Sequence, residues 1–203
     1  MTETLIVFTR YPEPGKTKTR MIPALGAEGA ANLQRQLTEH TLKQVKQLQS
    51  IRSVSSEFHF AEGNQQLMRE WLGENLTYYP QQTGDLGERL NSAFAQAFAA
   101  GINRVVTIGI DCPDIDESLL NQAFELLKQK DLVLGSAEDG GYYLIGLSRL
   151  IPELFVGIDW GSDRVLGQTT NIANKLGLEF DYLTTLNDID RPEDLYIWEK
   201  YQN

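Results

Sequence analysis

Short β-branched apolar runs alternate along this chain with longer stretches of helical periodicity. The first run, Thr4 to Thr9, leads into a loop holding Pro12, Pro14 and Gly15 and reads as a strand followed by a phosphate-sized turn. From Gly26 to about Gln49, Leu33, Leu37, Leu42, Val45 and Leu48 recur at roughly helical spacing and predict a helix. Residues 53 to 61 alternate as a strand, and Asn64 to Leu72 form a short helix capped by Asn64 and closed by Gly73. A third strand runs from Leu76 to Tyr79. Gly84 to Ala100 is amphipathic, with Leu90, Phe94, Ala97 and Phe98 inward and Gly101 as its stop. A buried strand ending at Asp111, a helix from Glu117 to about Gln129 and a strand from Leu132 to Ser136 follow.

Strands alternating with helices through short loops predict a mainly parallel α/β sheet with right-handed crossovers. The order breaks at Gly140-Gly141. Too little chain precedes the run Y-Y-L-I-G-L for a crossover helix, so an antiparallel element must enter there. A helix near Ser162 to Leu176, a strand from Glu179 to Leu183 and a last helix opening at Pro192 complete the pattern. With no repeat, low-complexity tract or linker, residues 1–203 read as one domain.

Composition narrows the function. A formal charge of −10 opposes general nucleic-acid or anionic-membrane binding, since both need a net basic face, but 18 Lys and Arg leave room for a local basic pocket. One cysteine, no apolar run approaching the ~20 residues of a spanning helix and no charged-then-apolar leader fit a cytoplasmic setting without membrane insertion.

The candidate chemistry clusters at strand ends. In V-V-T-I-G-I-D-C-P-D-I-D, residues 105–116, Asp111 stands where open α/β sheets hold ligands. A carboxylate buried there needs a cation, a base or a polar ligand; Mg²⁺ (or Mn²⁺) bound with substrate phosphates is one answer. Asp116 reads equally well as the cap of the next helix. The segment R-Y-P-E-P-G-K-T-K-T-R places Arg10, Lys16, Lys18 and Arg20 beside Gly15 directly after the first strand, a pattern suited to phosphate oxygens, though a solvated basic loop has the same composition. It is not a Walker loop, because Arg10 stands where the first glycine is required.

Glu138, Asp139, Gly140, Gly141 and Tyr142 combine carboxylates with glycines that let a ligand approach, for acceptor binding or proton removal; a plain hairpin turn is the competing account. Gly84, Asp85 and Arg89 open a helix after the third strand, either as a ligand-facing terminus or with Asp85 as a simple cap. In N-D-I-D-R-P-E-D-L, Asp188 or Asp190 could face Asp111 across the sheet edge. Trp160-Gly161-Ser162 could line an acceptor pocket. His40 and His59 lack a partner pattern and read as structural, and Cys112 reads as a small buried residue.

Five of these motifs, F-T-R-Y-P-E-P-G-K-T-K-T-R, Q-T-G-D-L-G-E-R-L, I-G-I-D-C-P, G-S-A-E-D-G-G-Y-Y-L-I-G-L and D-I-D-R-P-E-D-L, occur in the same order in a bacterial family that the chain resembles over nearly its whole length. That family comprises glycosyltransferase-A-fold proteins described as glycosyltransferase-like or as radical-SAM/selenodomain-associated transferases. The chain is more distantly similar to molybdenum-cofactor and phospholactate nucleotidyltransferases. The resemblance implies a single-domain, three-layer α/β/α nucleotide-diphospho-sugar transferase fold, with Asp111 and Asp190 as metal positions. Two departures stand out: the first loop is not the G-x-G-T-R of well-understood nucleotidyltransferases, and no clear D-x-D metal motif of sugar-nucleotide glycosyltransferases follows the central strand.

Two reactions stay open on these residues. One is nucleotidyl transfer from a nucleoside triphosphate to a small phosphorylated acceptor, with Lys16, Lys18 and Arg20 neutralising charge. The other is glycosyl transfer from a nucleotide sugar, with Asp139 or Glu138 activating an acceptor hydroxyl. A nucleotide-binding or partner-binding protein of the same fold without turnover is the alternative.

Overall fold

A computed structural model of the protein describes residues 2–201. Seven strands form one sheet: β1 (Glu3–Arg10), β2 (Ser55–Ala61), β3 (Thr77–Pro80), β4 (Arg104–Ile108), β5 (Leu132–Ala137), β6 (Tyr142–Leu147) and β7 (Phe180–Leu186). Their order is β3-β2-β1-β4-β6-β5-β7, and every neighbouring pair is parallel except those made by β6. The short link between β5 and β6 does what its length dictates: β6 returns antiparallel and inserts between β4 and β5.

Among the described residues, six helices cover the sheet: α1 (Ile22–Ile51), α2 (Gln65–Leu72), α3 (Leu86–Ala99), α4 (Glu117–Leu126), α5 (Val165–Lys175) and α6 (Leu195–Glu199). Alternation along each strand sends side chains to two cores. Leu5, Val7, Val106 and Ile108 meet Leu33, Leu37 and Val45 of α1, Leu120 and Phe124 of α4 and Trp198 of α6. Ile6 and Val105 meet Leu90 and Phe94 of α3 and Ala173 of α5. β1 is buried on both faces, which is why its sequence reads as a continuous apolar run.

Boundaries differ from the sequence reading for local reasons. α1 begins at Ile22 but is interrupted at Gly26, whose φ of 69° is left-handed. β4 stops at Ile108, three residues before Asp111, and Gly109 N–H still donates to the Tyr143 carbonyl at 3.1 Å in continuation of the β6 register. Pro192 opens a three-residue 3₁₀ turn, and α6 follows it. Among the described residues, no helix is long and apolar enough to cross a membrane.

Candidate functional site

The chain leaves β1 for β2 and β3 on one side and returns to β4 on the other, so the carboxyl ends of β1 and β4 flank the point where strand order reverses. Ligands collect at such a crevice in open α/β sheets. A cleft of about 390 Å³ lies there, lined by Thr9 and Arg10 from β1, Gly109 to Cys112 after β4, Asp139 and Gly141 from the β5–β6 turn, and Asp188 after β7. Leu86, Leu90, Tyr142, Trp160 and Val165 form its apolar wall.

The rim is braced by side chains. Gln81 Nε2 donates to the Thr9 and His59 carbonyls at 3.1 and 2.9 Å, and Gln34 Nε2 reaches Thr9 Oγ1 at 3.2 Å and the Arg10 carbonyl at 3.3 Å. Arg89 donates from Nε to the Gly84 carbonyl at 2.9 Å, holding its guanidinium beside the cleft. The start of α3 is capped: Glu88 N–H donates to Asp85 at 2.9 Å and Asp85 N–H to Glu88 at 2.8 Å, a capping box that satisfies two of the amides there. Asp116 likewise caps α4, accepting from Leu119 N–H at 2.8 Å.

Three carboxylates converge on the cleft. Asp111 is bound through its carbonyl by Ile189 N–H at 2.8 Å, which ties the loop after β4 to the loop after β7. Asp139 is oriented by Gly141 N–H at 2.8 Å. Gly140 between them has φ 88°, and a Cβ there would lie 2.2 Å from the Asp163 carbonyl oxygen, so the turn tolerates only glycine. Burial, reinforced by the charges of Asp139, Asp111 and Asp190, pushes the Asp188 carboxyl up to about 6. The same surroundings, burial first, raise the Cys112 thiol and keep it an inert neutral group.

The basic loop is arranged differently from the sequence expectation. Arg10 lines the cleft, but Lys16, Lys18 and Arg20 do not. Lys16 is exposed and pairs with Glu13 at 2.8 Å. Lys18, expected at a phosphate, has a side chain only 5% exposed, with Nζ 2.9 Å from Asp111 Oδ1 and a second bond to the Ile189 carbonyl. Arg20 pairs with Asp190. Of the D-I-D carboxylates, Asp188 therefore enters the cleft and Asp190, the expected metal position, is held outside it. Asp139, Gly141 and Tyr142 are cleft residues, while Glu138, Gly140 and Gly84 stand behind its lining. Trp160, Gly161 and Ser162 also line it. His40 has a partner the sequence did not reveal: its Nε2 is 2.9 Å from the Pro113 carbonyl, bracing the acidic loop from behind.

All cleft carboxylates offer hard oxygen donors, which suit Mg²⁺ or Mn²⁺. Among the described residues no group of three or more His, Cys, Asp or Glu side chains could hold a metal ion by itself. One or two carboxylates completed by phosphate oxygens is the arrangement this edge permits, and it is an ordinary one for Mg²⁺.

Comparison with known proteins places the fold. A candidate nucleotide-diphospho-sugar transferase from Desulfovibrio desulfuricans G20 superposes with a TM-score of 0.92 at 33% identity, covering 100% of this chain and 89% of that one. A CTP complex of CMP:2-keto-3-deoxy-manno-octonic acid synthetase superposes at 0.61 with 7% identity, over 99% of this chain and 98% of that one. A manganese complex of a Mycobacterium tuberculosis H37Rv protein gives 0.61 at 13% identity, over 98% and 99%. No protein of curated function matches the chain in sequence. The chain has the nucleotide-diphospho-sugar transferase fold. Residues 41–162 match DUF2064, described as an uncharacterized protein conserved in bacteria, and to that family the chain belongs.

Proposed function

We propose that this protein is a single-domain cytoplasmic transferase that uses a nucleotide-activated donor and a divalent metal, Mg²⁺ or Mn²⁺. The observation that carries the reading is the meeting of Asp111, Asp139 and Asp188 with Arg10 and Arg89 around one cleft at the sheet's reversal point. Likeness to the Desulfovibrio protein supports the donor class.

Asp111 and Asp188 would hold the metal, with Asp188 taking the place the sequence assigned to Asp190. The metal supplies neutralisation of charge on the departing phosphate chain. In nucleotidyl transfer, an acceptor phosphate oxygen attacks the α-phosphorus in line. The bond from that phosphorus to the β-phosphate oxygen breaks, and pyrophosphate leaves. Arg10 and Arg89 would position the donor, with Lys16 reaching the phosphates from the rim. In glycosyl transfer, an acceptor hydroxyl attacks the anomeric carbon, a nucleoside diphosphate leaves, and Asp139 takes the hydroxyl proton. Tyr142 and Trp160, edge to face at 6.2 Å, give the acceptor side a rigid aromatic wall.

The test is a thermal-shift panel of nucleoside triphosphates and nucleotide sugars, each with and without Mg²⁺, because a ligand that binds only the native state raises its apparent stability. A Mg²⁺-dependent shift lost in a folded Asp111→Ala variant is the expected result. Response to a triphosphate favours nucleotidyl transfer, and response to a nucleotide sugar favours glycosyl transfer. Metal-independent binding unaffected by Asp111→Ala would replace the enzyme with a binding module.

A further inference from the structure

Lys18 is built unlike a phosphate-binding lysine. Its backbone is left-handed, φ 45° and ψ 43°, a conformation a lysine keeps only where its surroundings fix it. Met21 N–H closes on its carbonyl at 2.8 Å, turning the chain into the 3₁₀ turn before α1. That reversal sends the side chain inward. The ammonium meets Asp111 Oδ1 at 2.9 Å and also donates to the Ile189 carbonyl, while Ile189 N–H returns to the Asp111 carbonyl at 2.8 Å. One buried cation thus ties together the loop after β1, the acidic loop after β4 and the acidic loop after β7. Among the described residues, it is the base in salt-bridge contact with a carboxylate of the cleft.

We propose that Lys18 is a positioning residue whose ammonium is the resident cation of the acidic edge, and that it makes divalent-metal binding depend on the arrival of a phosphate chain. The inference rests on the metal-dependent reading above. With Lys18 in place, Asp111 already has its positive partner, and a dication entering alone meets like charge within a few ångströms. Phosphate oxygens change the balance, because they bring negative charge and the remaining ligands of the shell. Metal and phosphate therefore enter as a coupled pair, and the coupling is reciprocal. A lysine that simply contacted phosphate would act in the opposite sense: its removal would weaken phosphate binding and leave binding of the metal alone unchanged.

Mn²⁺ binding, followed as the excess metal retained on the protein side in equilibrium dialysis, separates these cases. Wild type, Lys18→Met and Lys18→Arg are titrated with Mn²⁺ alone and with Mn²⁺ plus inorganic tripolyphosphate, so that chelation in solution is common to all. Lys18→Met should bind Mn²⁺ alone about tenfold more tightly than wild type, on the scale of one partly screened charge. The enhancement by tripolyphosphate should shrink by the same factor, and Lys18→Arg should behave as wild type. Lys18→Met binding Mn²⁺ alone no more tightly than wild type overturns the proposal; the metal reading then survives if wild type still takes up Mn²⁺ with tripolyphosphate. Failure of every protein to bind Mn²⁺ under either condition overturns both. Should the methionine variant not fold, wild type alone decides: equal Mn²⁺ affinity with and without tripolyphosphate overturns the proposal.

Discussion

Asp188→Asn should stabilise the ligand-free protein at neutral pH. The Asp188 carboxyl is partly buried and faces the charges of Asp139 and Asp111, and its ionisation moves from an ordinary 3.8 to about 6. The folded state therefore binds a proton more tightly than the unfolded chain does. No penalty exists below 3.8, where both states are protonated. It grows as pH rises toward 6 and is constant above. At 1.36 kcal/mol per pH unit the ceiling is about 3 kcal/mol, and partial solvent access to the cleft reduces this to about 1–2 kcal/mol. An asparagine keeps the size and loses the charge, so the variant should melt roughly 2–6 °C above wild type at pH 7.5. The gap should close as the pH is lowered to 4. Calorimetric melts in EDTA across that range test this directly. A variant that melts at or below wild type at pH 7.5, or a gap independent of pH, would refute the charge-repulsion argument. Stability gained by losing a site residue is a common signature of a site strained for ligand.

Other perturbations probe the frame around the cleft. Glu3 is buried and accepts from Arg52 at 2.6 and 2.9 Å and from Arg104 at 3.1 Å, so Glu3→Ala should cost about 3–5 kcal/mol in urea unfolding. Burial alone would raise the Glu3 carboxyl, but the two arginines outweigh it and hold it below the usual range. Its contribution is thus present above the ordinary carboxylate pH and fades as pH falls through the lowered value; a wild-type advantage over Glu3→Gln that grows on acidification would contradict this. In Gly87→Ala the new Cβ would lie 2.5 Å from Trp160 Nε1 and 2.6 Å from the Phe155 carbonyl oxygen. About 1–3 kcal/mol should be lost and the tryptophan emission should shift as Trp160 is displaced; an unchanged spectrum would mean the wall is not packed on α3. Lys16→Ala should leave the melting temperature unchanged and weaken triphosphate binding far more than nucleoside binding, and equal weakening of both would remove Lys16 from the phosphate path.

Much of the framework was legible in the sequence because it rests on local or topological necessity. β-branched runs marked the strands, Asp85 offered itself as a cap for the helix that became α3, and the short Glu138–Gly141 link forced an antiparallel return. Asp111 was legible because a carboxylate directly after a buried strand is costly unless a cation or a polar ligand meets it. Two site features were not. Lys18 reads as one of four bases in a loop, and nothing local announces the left-handed turn that buries it against Asp111. Asp188 and Asp190 flank fully buried Ile189 with equal local claims. The partner that draws Asp190 aside, Arg20, stands 170 positions away in sequence.

The sheet order also sets a schedule for biosynthesis. β1 pairs with β2 about fifty residues after it emerges, but its other edge waits for β4, in register Glu3 with Arg104. At ribosomal rates of ~5–20 residues per second, that edge stays open for roughly 5–20 s. An unpaired strand as apolar as L-I-V-F is a ready template for other chains during that interval. Glu3, at the start of the strand, carries a charge that loses its water only when Arg52 and then Arg104 arrive. The ion cluster at the base of the finished sheet thus begins as a lone charge on the open edge of β1 in the nascent chain.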